Sequence, residues 1–105
     1  NISGACLVNN RRLAIASTEA GGTELKVFDL KGEKVNSRQI NGKINNLTSF
    51  GRVIGVNSGR TAHFFNEKSE EIGIYNSKSE IKGIFFFNEN SAILVNVNSV
   101  IVIEL

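Results

Sequence analysis

The sequence predicts an all-β protein built from antiparallel strands. Short apolar runs rich in β-branched residues recur along the whole chain. Clusters of Asn and Gly separate these runs, at 9–12, 20–22, 41–42, 57–59 and 88–90. No long segment has the apolar spacing and the two caps of a helix. Because Asn and Gly tolerate the left-handed backbone of tight turns, consecutive strands are expected to form antiparallel hairpins.

Length and composition restrict the class of protein. A chain of 105 residues is one small domain or a piece of one. Its 41% hydrophobic residues make it too apolar for simple disorder, and a net charge of +2 argues against a strongly basic nucleic-acid binder. No apolar run approaches the ~20 residues of a membrane helix, and no signal-peptide pattern is present. With a single cysteine, the expected location is intracellular, with cytoplasm and nucleus not distinguished.

A unit of roughly forty residues occurs three times, and we divide the chain at about 1–40, 41–78 and 79–105. Each unit begins with three apolar residues spaced three apart. Second strands are predicted at 13–16, 53–56 and 92–95, third strands at 25–30, 62–65 and 100–103, and fourth strands at 35–39 and 72–75. The opening triplets are Ile2, Ala5 and Val8; Ile44, Leu47 and Phe50; and Ile81, Ile84 and Phe87.

Four strands per unit of this length are the signature of a β-propeller blade. The segment 23–33 resembles the end of a WD40 repeat, with Phe28-Asp29 in the place of the family's Trp-Asp pair. Phe65-Asn66 and Ile103-Glu104 hold that place in the later units, and the run from Ile44 to Gly59 is similar to the family's first two strands. The Gly-His pair is absent, and Asn57 and Asn98 stand in turns where the family has Asp. The resemblance implies a WD40-like propeller of about two and three-quarter blades, without the family's His–Asp network.

A partial ring leaves apolar blade faces uncovered, so we expect it to be completed by more of the same polypeptide, another chain or copies of itself. The strand-like run 100–105 at the end of the sequence is consistent with a missing neighbour, and a docked final strand is the alternative. A period of two places Ile84 and Phe86 on one face of their strand and Phe85 and Phe87 on the other. The predicted ring-completion contacts are Phe85, Phe86, Phe87, Ile101 and Ile103.

Two other folds use the same strands. A β-trefoil also contains three units of about forty residues, although it usually needs a longer chain. A small sandwich or barrel could accommodate these strands without true repetition. The shared three-residue spacing at the start of all three units favours the propeller.

The sequence offers little for catalysis, and we predict no catalytic residue, no metal site and no cofactor. The chain has one His and one Cys. His63 lacks the partners that a metal site or a proton relay needs, so it is interpreted as structural. Cys6 is interpreted as a buried, inert thiol, and Asp29 as the cap of the turn that follows it.

The resemblance implies a non-catalytic scaffold that binds other proteins through loops at one end of the ring. The residues expected there are Arg38, Lys43, Asn57, Arg60 and Lys78, with 96–99 beside them. Their mild positive bias indicates an acidic protein segment as the partner. The alternative is a fragment of a propeller enzyme whose active site in the central channel needs residues from elsewhere. A sugar-binding protein is a third hypothesis, disfavoured by one Tyr and no Trp.

Overall fold

The computed structural model describes residues 1–19 and 22–105. These residues form eleven β-strands in three antiparallel sheets. The first sheet contains β1 (Ile2–Val8), β2 (Arg12–Glu19), β3 (Gly22–Phe28) and β4 (Lys34–Ile40). The second sheet contains β5 (Asn46–Phe50), β6 (Val53–Asn57), β7 (Thr61–Phe65) and β8 (Glu71–Asn76). The third sheet contains β9 (Ile81–Asn88), β10 (Ser91–Asn96) and β11 (Val100–Glu104).

Strands that follow each other in sequence are neighbours in every sheet, so each sheet is a simple meander. The all-β fold class predicted from the sequence is confirmed, and the sheets of three and four strands match propeller blades. In the described part of the chain, no helix has the length and apolar character needed to cross a membrane.

The turns follow the predicted Asn and Gly positions. Asn9 and Asn10 between β1 and β2 have φ values of 52° and 53°, in the left-handed region that short polar side chains tolerate. Gly42 and Gly59, at φ 88° and 99°, turn the chain after β4 and after β6. Of the turn predicted at 20–22, residues 20 and 21 lie outside the described residues.

Apolar side chains from the first two sheets form a first core. Alternation along each strand directs one set of residues toward the neighbouring sheet. In β3, Leu25 and Val27 are buried, whereas Phe28 belongs to the opposite face. From the second sheet, Ile54 and Phe65 complete this core. The first two sheets are therefore held together by the packing of one apolar face against the other.

A second core lies between the second and third sheets. Phe64 of β7 and Leu94 of β10 are fully buried in it. Phe86 of β9 packs against this core, with its ring edge-on to Phe64 at a centroid distance of 6.0 Å. The second sheet is therefore covered on both faces, while the first and third sheets each have one covered face.

Candidate functional site

The loops that connect strands at one edge of the sheets come together in a surface that we call the loop rim. It comprises residues 41–45, 58–60, 77–80 and 97–99. Backbone hydrogen bonds of 2.7 Å join these loops: the N–H of Asn45 donates to the Asn57 carbonyl, that of Ser77 to Arg60, and that of Ile81 to Gly59. The fold therefore brings segments that are far apart in sequence into one continuous edge.

Asn57 lies at the centre of these connections. Its side-chain Nδ2 donates to the carbonyl of Ile81 at 3.0 Å, and its Oδ1 accepts the N–H of Gly59 at 2.9 Å. These hydrogen bonds join the second sheet to the third through Asn57. Because Asn57 is only 2% exposed, it is not accessible to a partner, unlike the partner-binding residue that the sequence predicted. An aspartate would lack the donor that reaches Ile81. This requirement gives a physical reason for Asn at a position where the WD40 pattern leads one to expect Asp.

Three basic residues predicted at this edge lie on the loop rim. Lys43, Arg60 and Lys78 are exposed and come from three different loops. None of them forms an ion pair with another described residue. Glu80 is the acid beside them, and its hydrogen bond with the Lys82 ammonium at 2.8 Å lowers its pKa, with the charges of Lys82 and Arg60 adding to this effect. The loop rim therefore presents positive charge to solvent.

A cleft of about 320 Å³ with both polar and apolar walls opens on the loop rim between the second and third sheets. Asn96 shapes one wall: its Oδ1 accepts the N–H groups of Asn98 and Ser99 at 2.9 and 2.8 Å, and its Nδ2 donates to the Ser77 hydroxyl at 3.2 Å. The described residues of its lining provide one cation, several amides and hydroxyls and the apolar surface of Tyr75 and Ile101, but no carboxylate. Its lining residues are Tyr75, Asn76, Lys78, Ser79, Asn96, Asn98, Ser99 and Ile101.

Arg38 lies away from the loop rim. It belongs to β4, and its guanidinium carbon lies 5.5 Å from the ring centroid of Phe65 in the neighbouring sheet. One guanidinium nitrogen also donates to the carbonyl of Ser69 at 3.4 Å. Arg38 therefore connects the first sheet to the second, and it is not grouped with Lys43, Arg60 and Lys78.

The remaining polar candidates have structural contacts. His63 Nδ1 lies 3.1 Å from the Glu71 carboxylate, and its ring stacks on Phe65 at a centroid distance of 6.0 Å. The Asp29 carboxylate accepts the N–H of Lys31 at 2.9 Å, which confirms its predicted role as a turn cap. Burial raises the pKa of the Cys6 thiol, and a hydrogen bond with Ser49 partly opposes this effect. Among the described residues, no three His, Cys, Asp or Glu side chains are grouped to hold a metal ion.

The predicted ring-completion residues divide between the two faces of the third sheet. Phe86, Ile101 and Ile103 pack against the second core, so they are already used within the chain. Phe85 and Phe87 point away from it and are 59% and 60% exposed. The predicted division of β9 into two faces is correct, and the open face contains the second pair.

Sequence reasoning missed other apolar residues that remain uncovered. Val100 and Val102 of β11 share the open face with Phe85 and Phe87 and are 65% and 60% exposed. On the first sheet, an apolar groove of about 430 Å³ opens on the side opposite the first core. Its apolar lining residues are Leu7, Leu13, Ile15, Phe28 and Leu30. Alternation along the predicted strand 25–30 places Phe28 and Leu30 on the face opposite Leu25 and Val27, and this pattern is the sequence signal for the groove.

Solved structures with this arrangement of sheets are β-propellers. Hsv2 from Kluyveromyces lactis is similar with a TM-score of 0.65 and 11% identity over 99% of this chain and 32% of that chain. A structure described as a candidate gluconolactonase is similar with a TM-score of 0.60 and 15% identity over 99% of this chain and 38% of that chain. BamB from Moraxella catarrhalis is similar with a TM-score of 0.57 and 15% identity over 90% of this chain and 37% of that chain. The chain spans about a third of the length of these proteins, and its fold is that of a partial β-propeller.

The family is given by the sequence. The chain belongs to DUF5711, a family of unknown function whose model matches residues 5–105. No curated protein matches the sequence.

Proposed function

We propose that this propeller segment is a non-catalytic protein-binding scaffold whose loop rim binds an acidic protein segment. The observation that carries the proposal is the cleft on the loop rim, where the described lining residues combine the Lys78 ammonium with amide and hydroxyl groups and include no carboxylate. Ammonium, amide and hydroxyl donors together suit the carboxylate of an Asp or Glu side chain.

The surrounding charge supports the same partner. Lys43 and Arg60 are exposed on loops that backbone hydrogen bonds join to the second and third sheets. Exposed charges of one sign increase the rate at which an oppositely charged segment associates and suppress partners of like charge. An acidic segment that enters the cleft at Lys78 therefore meets positive charge along the rim.

The contacts of the titratable side chains favour a scaffold over an enzyme. His63 is held by Glu71 and stacked on Phe65, and the Asp29 carboxylate caps its own turn. Both side chains therefore serve the fold of their own sheets. The proposal also includes completion of the ring, because the open faces of the first and third sheets are apolar.

A binding titration with a fluorescent Glu-rich peptide tests the proposal. Fluorescence anisotropy should show saturable binding that weakens with added salt, because screening reduces attraction between exposed charges. Lys78→Glu should abolish binding, and the double variant Lys43→Glu, Arg60→Glu should weaken it by about tenfold or more, consistent with ~1.4 kcal/mol.

Lys68→Glu is the matched control, since Lys68 is exposed in the β7–β8 turn at the opposite edge. It should bind the peptide as the unaltered protein does. Equal loss of binding in Lys68→Glu and Lys78→Glu would show a non-specific charge effect and overturn the assignment of the rim. Unchanged binding in Lys78→Glu would overturn the role of the cleft.

A further inference from the structure

We propose that the acidic segment bound at the loop rim is supplied by a second copy of the chain, whose β8 pairs antiparallel with β8 of the first copy. The inference rests on the proposed function, because it names the partner of Lys78. It depends on the outer edge of the second sheet, and the number of sheets in the complete ring does not affect it.

The free edge of β8 lies on the outside of the stack of sheets. In the strand order β5-β6-β7-β8, β8 comes last, so within the described chain it has a strand neighbour only on its β7 side. The first strands of adjacent sheets contact each other, β1 with β5 and β5 with β9, which places these strands toward a common axis. The fourth strands therefore lie at the outer circumference. Further sheets of a propeller pack against faces, so they leave this edge open.

The two outer strands differ in how their edges are protected from pairing. Native edge strands commonly carry charged side chains, lysine above all, which discourage another strand from adding to the sheet. The outer strand of the first sheet, β4, follows this rule with Lys34 and Arg38. The outer strand of the second sheet, β8, has no basic residue, and its Ile72 and Ile74 are 41% and 55% exposed. Of the two, β8 is therefore suited to accept another strand.

The second half of β8 has the regular backbone that a further strand needs. The register shift of the β7–β8 ladder lies between Phe64 and Phe65, and the pairing with β7 is continuous from Gly73 to Asn76. The backbone N–H and C=O groups on a free strand edge recruit another strand through hydrogen bonds. All three ladders of the second sheet are antiparallel, so an antiparallel strand continues its pattern.

Charge identifies the strand that fits this edge. Glu70 and Glu71 lie at the beginning of β8, and Lys78 follows its end on the loop rim. Glu70 and Lys78 are exposed, and neither forms an ion pair with another described residue. An antiparallel partner that complements both ends begins with acidic residues, continues with apolar ones and ends with a basic one. β8 and its flanking residues have this order, so a second copy complements the first at both ends.

A twofold axis at Ile74 gives the register that pairs these charges. Counted outward from Ile74, Glu70 and Lys78 are equally distant in sequence, so each Glu70 comes beside the partner's Lys78. The same register places the two Ile74 side chains opposite each other and Gly73 opposite Tyr75. Directly opposed apolar side chains stabilise antiparallel strands, and an aromatic ring beside a glycine covers the backbone that the glycine leaves exposed.

The size of this junction sets its strength. A single pair of short strands buries less than the ~800 Å² per partner of a stable interface, so the dimer forms reversibly and depends on concentration. In the dimer, the Glu70 carboxylate takes the place that the proposed function gives to the acidic segment. A Glu-rich peptide and the second copy therefore compete for Lys78.

Disulfide trapping tests the register, with far-UV circular dichroism to show that each variant is folded. In a Cys6→Ala background, Ile74→Cys should form a covalent dimer under mild oxidation, because directly opposed residues of antiparallel strands have Cβ atoms about 4.5–5.5 Å apart. Ser37→Cys in the same background is the matched control, since Ser37 is exposed in the middle of the other outer strand, and it should remain a single chain. Equal cross-linking of both variants, or none in Ile74→Cys, would overturn the proposed pairing.

Exchange of the two charges tests the contact between Glu70 and Lys78. Sedimentation equilibrium should show a dimer fraction that falls in Glu70→Lys and in Lys78→Glu and recovers in the double variant, where opposite charges meet again across the axis. Glu33→Lys is the control, because Glu33 closes the β3–β4 turn as Glu70 closes the β7–β8 turn, each carbonyl accepting the N–H of the residue four positions earlier. It should leave the dimer fraction unchanged. No recovery in the double variant would overturn the assignment of Glu70.

The Glu-rich peptide separates this inference from the proposed function. The double variant should regain the dimer without regaining peptide binding, and excess peptide should lower the dimer fraction of the unaltered chain. Saturable peptide binding by an unaltered chain that forms no dimer would overturn the inference and leave the proposed function intact. A trapped and charge-dependent dimer whose Lys78→Glu variant binds the peptide normally would overturn the proposed role of the cleft and leave the strand pairing intact.

Discussion

The ring of Phe86 lies against the backbone of Gly55, with its Cζ 3.1 Å from the point where a Cβ on Gly55 would stand. The two residues belong to neighbouring sheets, so the missing side chain allows these sheets to approach closely. We predict that Gly55→Ala destabilises the protein by about 1–3 kcal/mol, the usual cost of overpacking a well-packed core. Urea denaturation at one fixed protein concentration measures this difference.

A smaller side chain at position 86 should relieve the strain that Gly55→Ala introduces. Phe86→Leu removes the ring atoms that approach Gly55, so the alanine should cost less free energy in that background than in the unaltered protein. If the two substitutions were simply additive in a double-mutant cycle, the contact between Phe86 and Gly55 would not be the source of the destabilisation.

The buried amide of Asn57 gives a second prediction. Asn57→Ala removes both hydrogen bonds and leaves the Ile81 carbonyl and the Gly59 N–H without the partner they have now. Loss of buried hydrogen bonds costs about 1–3 kcal/mol, which thermal denaturation should report as a lower Tm. Asn98→Ala is the control, because Asn98 is exposed in the β10–β11 turn, and it should change Tm little.

A third prediction compares Asn57→Asp with the unaltered protein over a range of pH. Burial disfavours the charged form, so the folded-state pKa of the new carboxyl should lie above its unfolded value. The ionised carboxylate also repels the Ile81 carbonyl. The variant should therefore be least stable above that raised pKa and should approach the unaltered protein as pH falls through it. A gap in stability that stays constant with pH would contradict this account of Asn57.

A substitution of Arg38 should lower the stability of the protein without changing peptide binding at the loop rim. Arg38→Gln removes the cation above the Phe65 ring, and we expect a loss of about 0.5–1 kcal/mol in urea denaturation. Binding of the acidic peptide should be unchanged, because Arg38 lies between sheets and not on the rim. Lys78→Gln should show the reverse, with weaker peptide binding and unchanged stability. Reduced peptide binding in Arg38→Gln would place Arg38 in the binding surface.

Local sequence patterns were sufficient for the fold. Strands and turns depend on alternation and on Asn and Gly within a few residues, which is why the hairpin turns at Asn9-Asn10 and at Gly59 were found. The repeat added the order of the strands, because the strands of each unit pair with one another within one sheet. The similar solved structures confirm the predicted propeller class.

The candidate site depended on contacts between sheets, which local patterns do not specify. Alternation separates Ile101 and Ile103 from Val100 and Val102, but both pairs are apolar, so it cannot show which pair is covered. Arg38 was placed on a loop because its contact with Phe65 in the next sheet leaves no local signal. The role of the remaining rim residues and the intracellular location stay predictions.

The last prediction concerns the edge opposite the loop rim, where Glu89 bridges the second and third sheets. Its carboxylate accepts the backbone N–H of Arg52 at 2.7 Å and lies 3.4 Å from the Arg52 guanidinium Nε. The backbone hydrogen bond, aided by the arginine charge, lowers the pKa of Glu89. A carboxyl with a lowered folded-state pKa adds stability above its unfolded pKa and loses this contribution as pH falls through the folded value.

Glu89→Gln should therefore be less stable than the unaltered protein at neutral pH, and the difference should vanish in acid once Glu89 is protonated in both states. Urea denaturation midpoints at a series of pH values measure the difference directly. Glu33→Gln changes an exposed carboxylate in the β3–β4 turn and is the matched control, with little difference expected at any pH. If the gap between Glu89→Gln and the unaltered protein widened in acid, the sign of this linkage would be wrong, and Glu89 would not stabilise the junction through its charged form.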